Sequence, residues 1–218
     1  MTIHREGKYV ILYLLLIFSI AAFAFYMLFP GLLIWWYLFC SVEVILLFFV
    51  IAFFRSPKRV IPIEKSKILS PADGKIVVVE KMMPKEYLQG SYIQISIFMS
   101  IWNVHLNRIP CGGVVKYIQY HPGSFFIAKH PKASLLNEMN TTVIETEHKE
   151  YVMIRQIAGA VARRIATYVN EGASVEQGEE LGFIRFGSRV DIMVPESCKI
   201  LVKQGMNVKA GIDIIAEW

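Results

Sequence analysis

Three side chains in this 218-residue sequence are of the types that acyl chemistry needs: the hydroxyl of Ser188, the imidazole of His105 and the carboxylate of Asp73. A serine hydroxyl is a poor nucleophile until a base takes its proton. Histidine is the side chain most easily poised for that near neutral pH, and a carboxylate can orient the imidazole. Ser188 follows Gly187 inside "IRFGSRVDIMVP", residues 184–195, where apolar residues alternate on either side of the small pair. The stretch does not fit the Gly-x-Ser-x-Gly nucleophile elbow, because Phe186 and Val190 stand where the glycines would be. Glycine at 187 lets an attacking oxygen approach its carbonyl and tolerates unusual backbone angles. Plainer readings stand beside these. "SPADGK" is a common turn whose Asp bonds its own backbone. A single His in a strand-like run is commonly structural, and a Gly-Ser pair can simply turn a hairpin. The residues by themselves leave open a serine hydrolase and a binding module without catalysis.

The elements that must position these groups read as two unlike parts. Apolar residues make up 55% of the chain and charged ones 19%, and the apolar excess is concentrated at the start. From 9 to 54 the only formally charged side chain is Glu43. That stretch, about 46 residues, suits two membrane crossings at roughly 20 residues each. Phe29-Pro30-Gly31 marks the break between them. We expect a transmembrane helical hairpin in 1–54, with spans at about 9–28 and 33–54, rather than a cleaved signal peptide. Arg5 and Lys8 precede it, and Arg55, Lys58, Arg59, Lys65 and Lys67 follow it, which predicts both ends on the cytoplasmic side. Glu43 is costly inside a span unless paired. Residues 55–68 read as a basic linker.

The remainder, 69–218, is predicted to be mostly β, from short β-branched runs such as "KIVVVEK" and "YIQISIFM" punctuated by Gly, Pro and Asn. Within it, "YVNEGASVEQGEEL" (168–181) aligns with "LVKQGMNVKAGIDI" (201–214), an internal repeat offset by 33 residues. The shared frame resembles lipoyl-type modules, so the expected soluble fold is a lipoyl-like, hybrid β-sandwich. The tip between the copies is "FGSRVD", which lacks the lysine that such modules modify. Net charge is +5, much of it beside the apolar segment, which favours anionic membrane lipids. No basic stripe with interleaved aromatics argues for nucleic acid. Cys40, Cys111 and Cys198 are isolated and indicate neither a disulfide framework nor a metal site.

Taken together, "SPADGKI", "NVHLNRIPCGG", "YHPGSFFIAKHPKASLLNEMN", "GAVARRIATYVNEGASVEQGEELGFIRFGSRVD" and the closing "VP" resemble phosphatidylserine decarboxylase proenzymes in order and spacing, over about 68–218. The resemblance is to the short, membrane-hairpin branch, which is bacterial and archaeal-like. It implies a chain that cuts itself between Gly187 and Ser188, into a β chain of 1–187 and an α chain of 188–218 that remain associated. Ser188 would attack the Gly187 carbonyl and become a covalent pyruvoyl group, which forms a Schiff base with phosphatidylserine and serves as the only cofactor. His105 would be the general acid or base, with Asp73 orienting it or acting as base. Longer members carry His-x-x-His here. His105 matches the first histidine and Arg108 stands at the second, which leaves the base for self-cleavage open. Arg108, His121 and Lys129 are the expected headgroup contacts. The implied product is phosphatidylethanolamine, made at the inner membrane with the catalytic domain on the cytoplasmic side; a homo-oligomer is left open. The competing reading is a membrane-tethered lipoyl-like adaptor module without catalysis.

Overall fold

The computed structural model describes residues 1–124, 137–159, 165–185 and 187–218, and the chain divides into two compact units, Met1–Lys58 and Arg59–Trp218. The first unit holds strand β1 (Thr2–Ile3), helices α1 (Arg5–Leu28) and α2 (Leu33–Phe53), and strand β2 (Arg55–Ser56), which pairs with β1. Both helices are long and apolar enough to cross a membrane, with mean hydropathies of 2.5 and 2.3. Apart from Arg5, Glu6 and Lys8 at the start of α1 and Glu43 in α2, their side chains are almost all apolar, a composition that suits association with a membrane. The helices meet through stacked Phe25 and Phe39 and through the Trp36 indole, which donates to the Ala22 carbonyl at 2.8 Å.

The second unit is mostly β. Its strands are β3 (Lys67–Leu69), β4 (Gly74–Met82), β5 (Tyr92–Met99), β6 (Leu106–Arg108), β7 (Gly113–His121), β8 (Met139–Glu145), β9 (Tyr151–Ala158), β10 (Ile165–Thr167), β11 (Ser174–Val175), β12 (Glu180–Ile184), β13 (Ser188–Pro195), β14 (Lys199–Ile200), β15 (Asn207–Val208) and β16 (Ile214–Glu217). Eight of them form one antiparallel sheet in the order β11-β7-β8-β9-β13-β5-β4-β15. Two three-stranded sheets, β10-β12-β6 and β14-β16-β3, complete the unit.

Period-2 alternation explains the placement of β13. Val190, Ile192 and Val194 face the main core with Ile76, Ile97, Ile144 and Ile154. Alternation sends Arg189, Asp191 and Met193 to the other face, where Met193 packs with Leu88, Tyr92, Val143 and Met153. Every residue of β13 is buried, because both faces are covered and both edges are paired. Residues 59–68 pack into this unit: Ile61 lies against Gly178 and Gly211, and the Glu64 amide donates to the Gln177 side chain at 2.8 Å.

Matching backbone contacts recur at matching places. Leu69 donates to Pro110 and Arg108 donates to Pro71, both at 2.9 Å. Gly205 donates to Ile76 and Gly172 to Val115, both at 2.8 Å. Gly74 and Gly113 each open a long strand where a Cβ would sit 2.2 Å from a carbonyl oxygen, that of Phe98 or that of Glu145. Only a residue without a side chain permits that approach.

Candidate active site

Ser188 opens the central strand. Its backbone sits opposite Met99 on β5 and Ala158 on β9, and its side chain is fully buried on the core side. Gly187, just before it, adopts φ +64°, a left-handed conformation that is costly for other residues. The strand therefore begins abruptly after a turn that glycine makes affordable. The Ser188 hydroxyl donates to the Met99 sulfur at 3.3 Å. A thioether is a weak acceptor, so the proton is lightly held.

The same sulfur receives the Asn107 side-chain amide at 3.6 Å. Asn107 is fully buried on β6, and its carbonyl oxygen accepts from Gln156 Nε2 at 2.8 Å. Gln156 Oε1 has no hydrogen-bond partner among the described residues. A chain of buried contacts thus runs from the hydroxyl through Met99 and Asn107 to Gln156, none of which the sequence reading singles out. Asn107 carried a signal: it is two residues from His105 in a strand pattern, which places both on one face.

His105 is also fully buried, with its ring centroid 6.4 Å from that of Phe183. Its Nδ1 lies 3.0 Å from the Asn103 carbonyl oxygen. A carbonyl only accepts, so Nδ1 carries the hydrogen and Nε2 is the basic nitrogen of the neutral ring. Asn103 is itself fixed, since its side-chain oxygen accepts from the Ser100 amide at 2.9 Å and the Ser100 hydroxyl at 2.7 Å. The His105 carbonyl accepts from the Ile184 amide at 3.4 Å, three residues before Gly187. The backbone thereby ties His105 to Ile184 at the end of β12, which precedes Ser188 in the sequence.

Asp73 is occupied elsewhere. Its carboxylate takes a two-pronged hydrogen bond from Arg59, at 2.6 and 2.7 Å, and a third from the Ala210 amide at 2.8 Å. The expected carboxylate–imidazole link is therefore not the contact that these oxygens make. The partner of His105 Nδ1 is a backbone carbonyl, and that of Asp73 is a buried guanidinium. Breaking a buried pair from one side leaves an uncompensated charge. Asp73→Ala is expected to destabilise the catalytic unit by about 3–5 kcal/mol, read as a lower unfolding midpoint of the full chain in detergent. A wild-type midpoint together with lost activity would return Asp73 to a catalytic role.

The expected headgroup contacts are scattered. Arg108 Nη1 donates to the Gly178 carbonyl at 2.7 Å, and burial, followed by the nearby Arg59 charge, pulls its guanidinium below the ordinary value. His121 Nε2 meets Glu86 Oε1 at 2.7 Å. Glu86 also accepts from Arg155 at 3.0 Å and from Thr141 at 3.1 Å. Arg155 is in register with Asp191, so this cluster stands on the face of the sheet opposite Ser188. Burial alone would raise the Glu86 carboxyl, but the His121 hydrogen bond and the Arg155 charge outweigh it and hold it below its usual range. Lys129 lies outside the described residues.

A cavity of about 550 Å³ lies at the starts of β7 and β11, lined among others by Lys65, Cys111, His148, Gln177 and Trp218. It includes none of Ser188, His105 and Asp73. Its buried Cys111 thiol is pushed up to about 12 by desolvation, which makes it unreactive near neutral pH.

Comparison with known proteins shows the family to which the chain belongs. The family model for phosphatidylserine decarboxylase matches residues 46–216. A phosphatidylserine decarboxylase proenzyme of Cytophaga hutchinsonii is 44% identical over 218 residues, covering 100% of this chain and 99% of that protein. One of Phocaeicola vulgatus is 41% identical over 219 residues, covering 99% and 94%. One of Amoebophilus asiaticus is 48% identical over 168 residues, covering 77% and 75%.

Proposed function

We infer that this chain, which belongs to the phosphatidylserine decarboxylase family, converts phosphatidylserine to phosphatidylethanolamine and CO2. The observation that carries the mechanism is the Gly187–Ser188 pair at the head of the central strand, with its left-handed glycine and lightly held hydroxyl. In the first stage, Ser188 Oγ attacks the Gly187 carbonyl carbon, and the acyl group moves from nitrogen to oxygen. Elimination then breaks the Ser188 Cβ–O bond. This releases residues 1–187 with a new carboxylate and leaves a dehydroalanine at 188. Water replaces its nitrogen, which departs as ammonia, and a pyruvoyl group remains.

The residues present fit such a group, because its carbon skeleton is that of Ser188 and its place is fixed by two flanking strands. A pyruvoyl group supplies an electron sink for decarboxylation, the role that other enzymes give to a bound cofactor. His105 is the general acid–base group of this reading, since Nδ1 is committed to Asn103 and Nε2 is left basic. In this reading the α chain stays with the β chain because β13 is paired along both edges, β15 pairs with β4 and β16 pairs with β3. Arg108, His121 and Lys129 are weaker candidates for headgroup binding; Arg108 and His121 are already engaged within the fold.

The recurring contacts around Gly172 and Gly205 fit a lipoyl-like sandwich with two related halves. The apolar helices fit an anchor in the inner membrane, and the basic residues at both ends favour a catalytic unit on the cytoplasmic side. Intact mass measurement under denaturing conditions tests the mechanism. Wild-type protein should give two chains, 1–187 and 188–218, the shorter blocked to stepwise N-terminal degradation. A single uncut chain in an active preparation would refute the mechanism.

A further inference from the structure

We propose that Arg189 is a positioning residue, which holds residue 188 in register from the face of the sheet opposite the reaction. The inference rests on the reading that the Gly187–Ser188 bond is cut. Arg189 is 3% exposed and Asp191 is fully buried. Arg189 Nε donates to Asp191 Oδ1 at 2.6 Å, and Nη2 donates to the Ser96 hydroxyl of β5 at 2.7 Å. The Ser96 hydroxyl accepts in turn from Gln94 at 2.9 Å. One planar guanidinium thus ties the first turn of β13 both to itself and to the neighbouring strand.

A buried ion pair is an expensive way to gain stability, and an apolar pair of similar volume often does as well. The neighbouring positions of β13 are Val, Ile and Met, so apolar filling was open to this strand. What the fork adds is geometry. Self-cleavage turns the head of β13 into a chain terminus, and termini fray unless they are tied down. Conversion to a pyruvoyl group also removes the backbone N–H of residue 188. Arg189 is then the first residue that retains a full backbone and a side chain. Its two anchors replace the restraint lost with the preceding chain and keep the reactive carbonyl where Ser188 stood.

The test compares full-length variants in detergent, with self-cleavage followed by intact mass, kcat and KM measured on cleaved enzyme with phosphatidylserine in mixed micelles, and thermal midpoints recorded. Arg189→Lys keeps the charge beside Asp191 but loses the fork. Ser96→Ala removes the anchor on β5, together with the acceptor that Gln94 uses, and leaves the ion pair intact. Met193→Ala, on the same strand and face, is the control for lost packing. Misplacement of a reacting group by about 1 Å costs on the order of 10²-fold in rate. Arg189→Lys should therefore lower kcat by about that factor with KM unchanged, and Ser96→Ala by a smaller factor in the same direction. Met193→Ala should lower the midpoint and leave kcat per cleaved molecule at the wild-type value. Wild-type kcat in Arg189→Lys and Ser96→Ala would overturn the proposal. So would a kcat loss in Met193→Ala as large as theirs, which would mark Arg189 as structural only. Failure of wild-type protein to cleave would instead remove the premise, and is read from the same mass measurement.

Discussion

Ser188→Ala will remain a single chain of 218 residues and will have no decarboxylase activity. The substitution removes one oxygen from a side chain whose described hydrogen bond goes to a thioether. Such a bond contributes little to stability. The antiparallel pairing of β13 with β5 and β9 is made by backbone groups, which alanine keeps. The fold should therefore persist, with a thermal midpoint close to wild type. The chemistry should not, because the same oxygen is both the attacking atom of self-cleavage and the leaving group of the elimination. Activity should fall to the background of the solution reaction, a larger loss than that from removing a supporting donor, which costs about 10²–10³-fold. Denaturing intact mass and CO2 release from labelled phosphatidylserine read both outcomes. Cleavage at 187 in Ser188→Ala would exclude Ser188 as the nucleophile, and activity in an uncut chain would exclude the pyruvoyl mechanism as a whole.

The parts of this molecule that were legible in the sequence are those with local causes. The two apolar helices follow from composition over some twenty residues each, and the mostly β remainder follows from period-2 runs broken by turn residues. Ser188 stood out because a Gly-Ser pair inside a strand pattern conflicts with its surroundings, but its expected role came only from the family resemblance. What was not legible depends on partners distant in the chain. Arg59 reads as one basic residue among several after the apolar segment, yet it is buried against Asp73 and also donates to the carbonyl of Ala210, 151 positions away. Nothing in the local pattern of 55–68 announces that contact. Asp73 for the same reason looked available to His105. Arg189 carries a partial signal: Arg-x-Asp on a strand puts both side chains on one face, although charge after a Gly-Ser turn ordinarily reads as solvent-exposed. Asn107 and Gln156 were hidden because amides in strand patterns carry no charge signal, and their hydrogen bond joins two sheets across 49 positions of chain.

His105→Gln should slow both stages of the reaction. Glutamine keeps much of the volume and can still donate to the Asn103 carbonyl, so the buried site should hold its shape. It cannot exchange a proton near neutral pH. A positioned general acid or base contributes about 10²–10⁴-fold, and kcat on the cleaved fraction should fall within that range with KM little changed. Self-cleavage should slow as well. The other candidate base, Asp73, is committed to Arg59 and Ala210, and Arg108, which stands at the position of the second family histidine, is a guanidinium that holds the Gly178 carbonyl. His105 is left as the group with a basic nitrogen, tied through its own carbonyl to the segment that leads into Gly187. Two clocks separate the roles: the mass-resolved time course of cleavage after synthesis, and the decarboxylation rate per cleaved molecule. Loss on both clocks assigns both proton transfers to His105. Cleavage at the wild-type rate with a depressed kcat would confine His105 to decarboxylation. Wild-type behaviour on both would remove it from the mechanism.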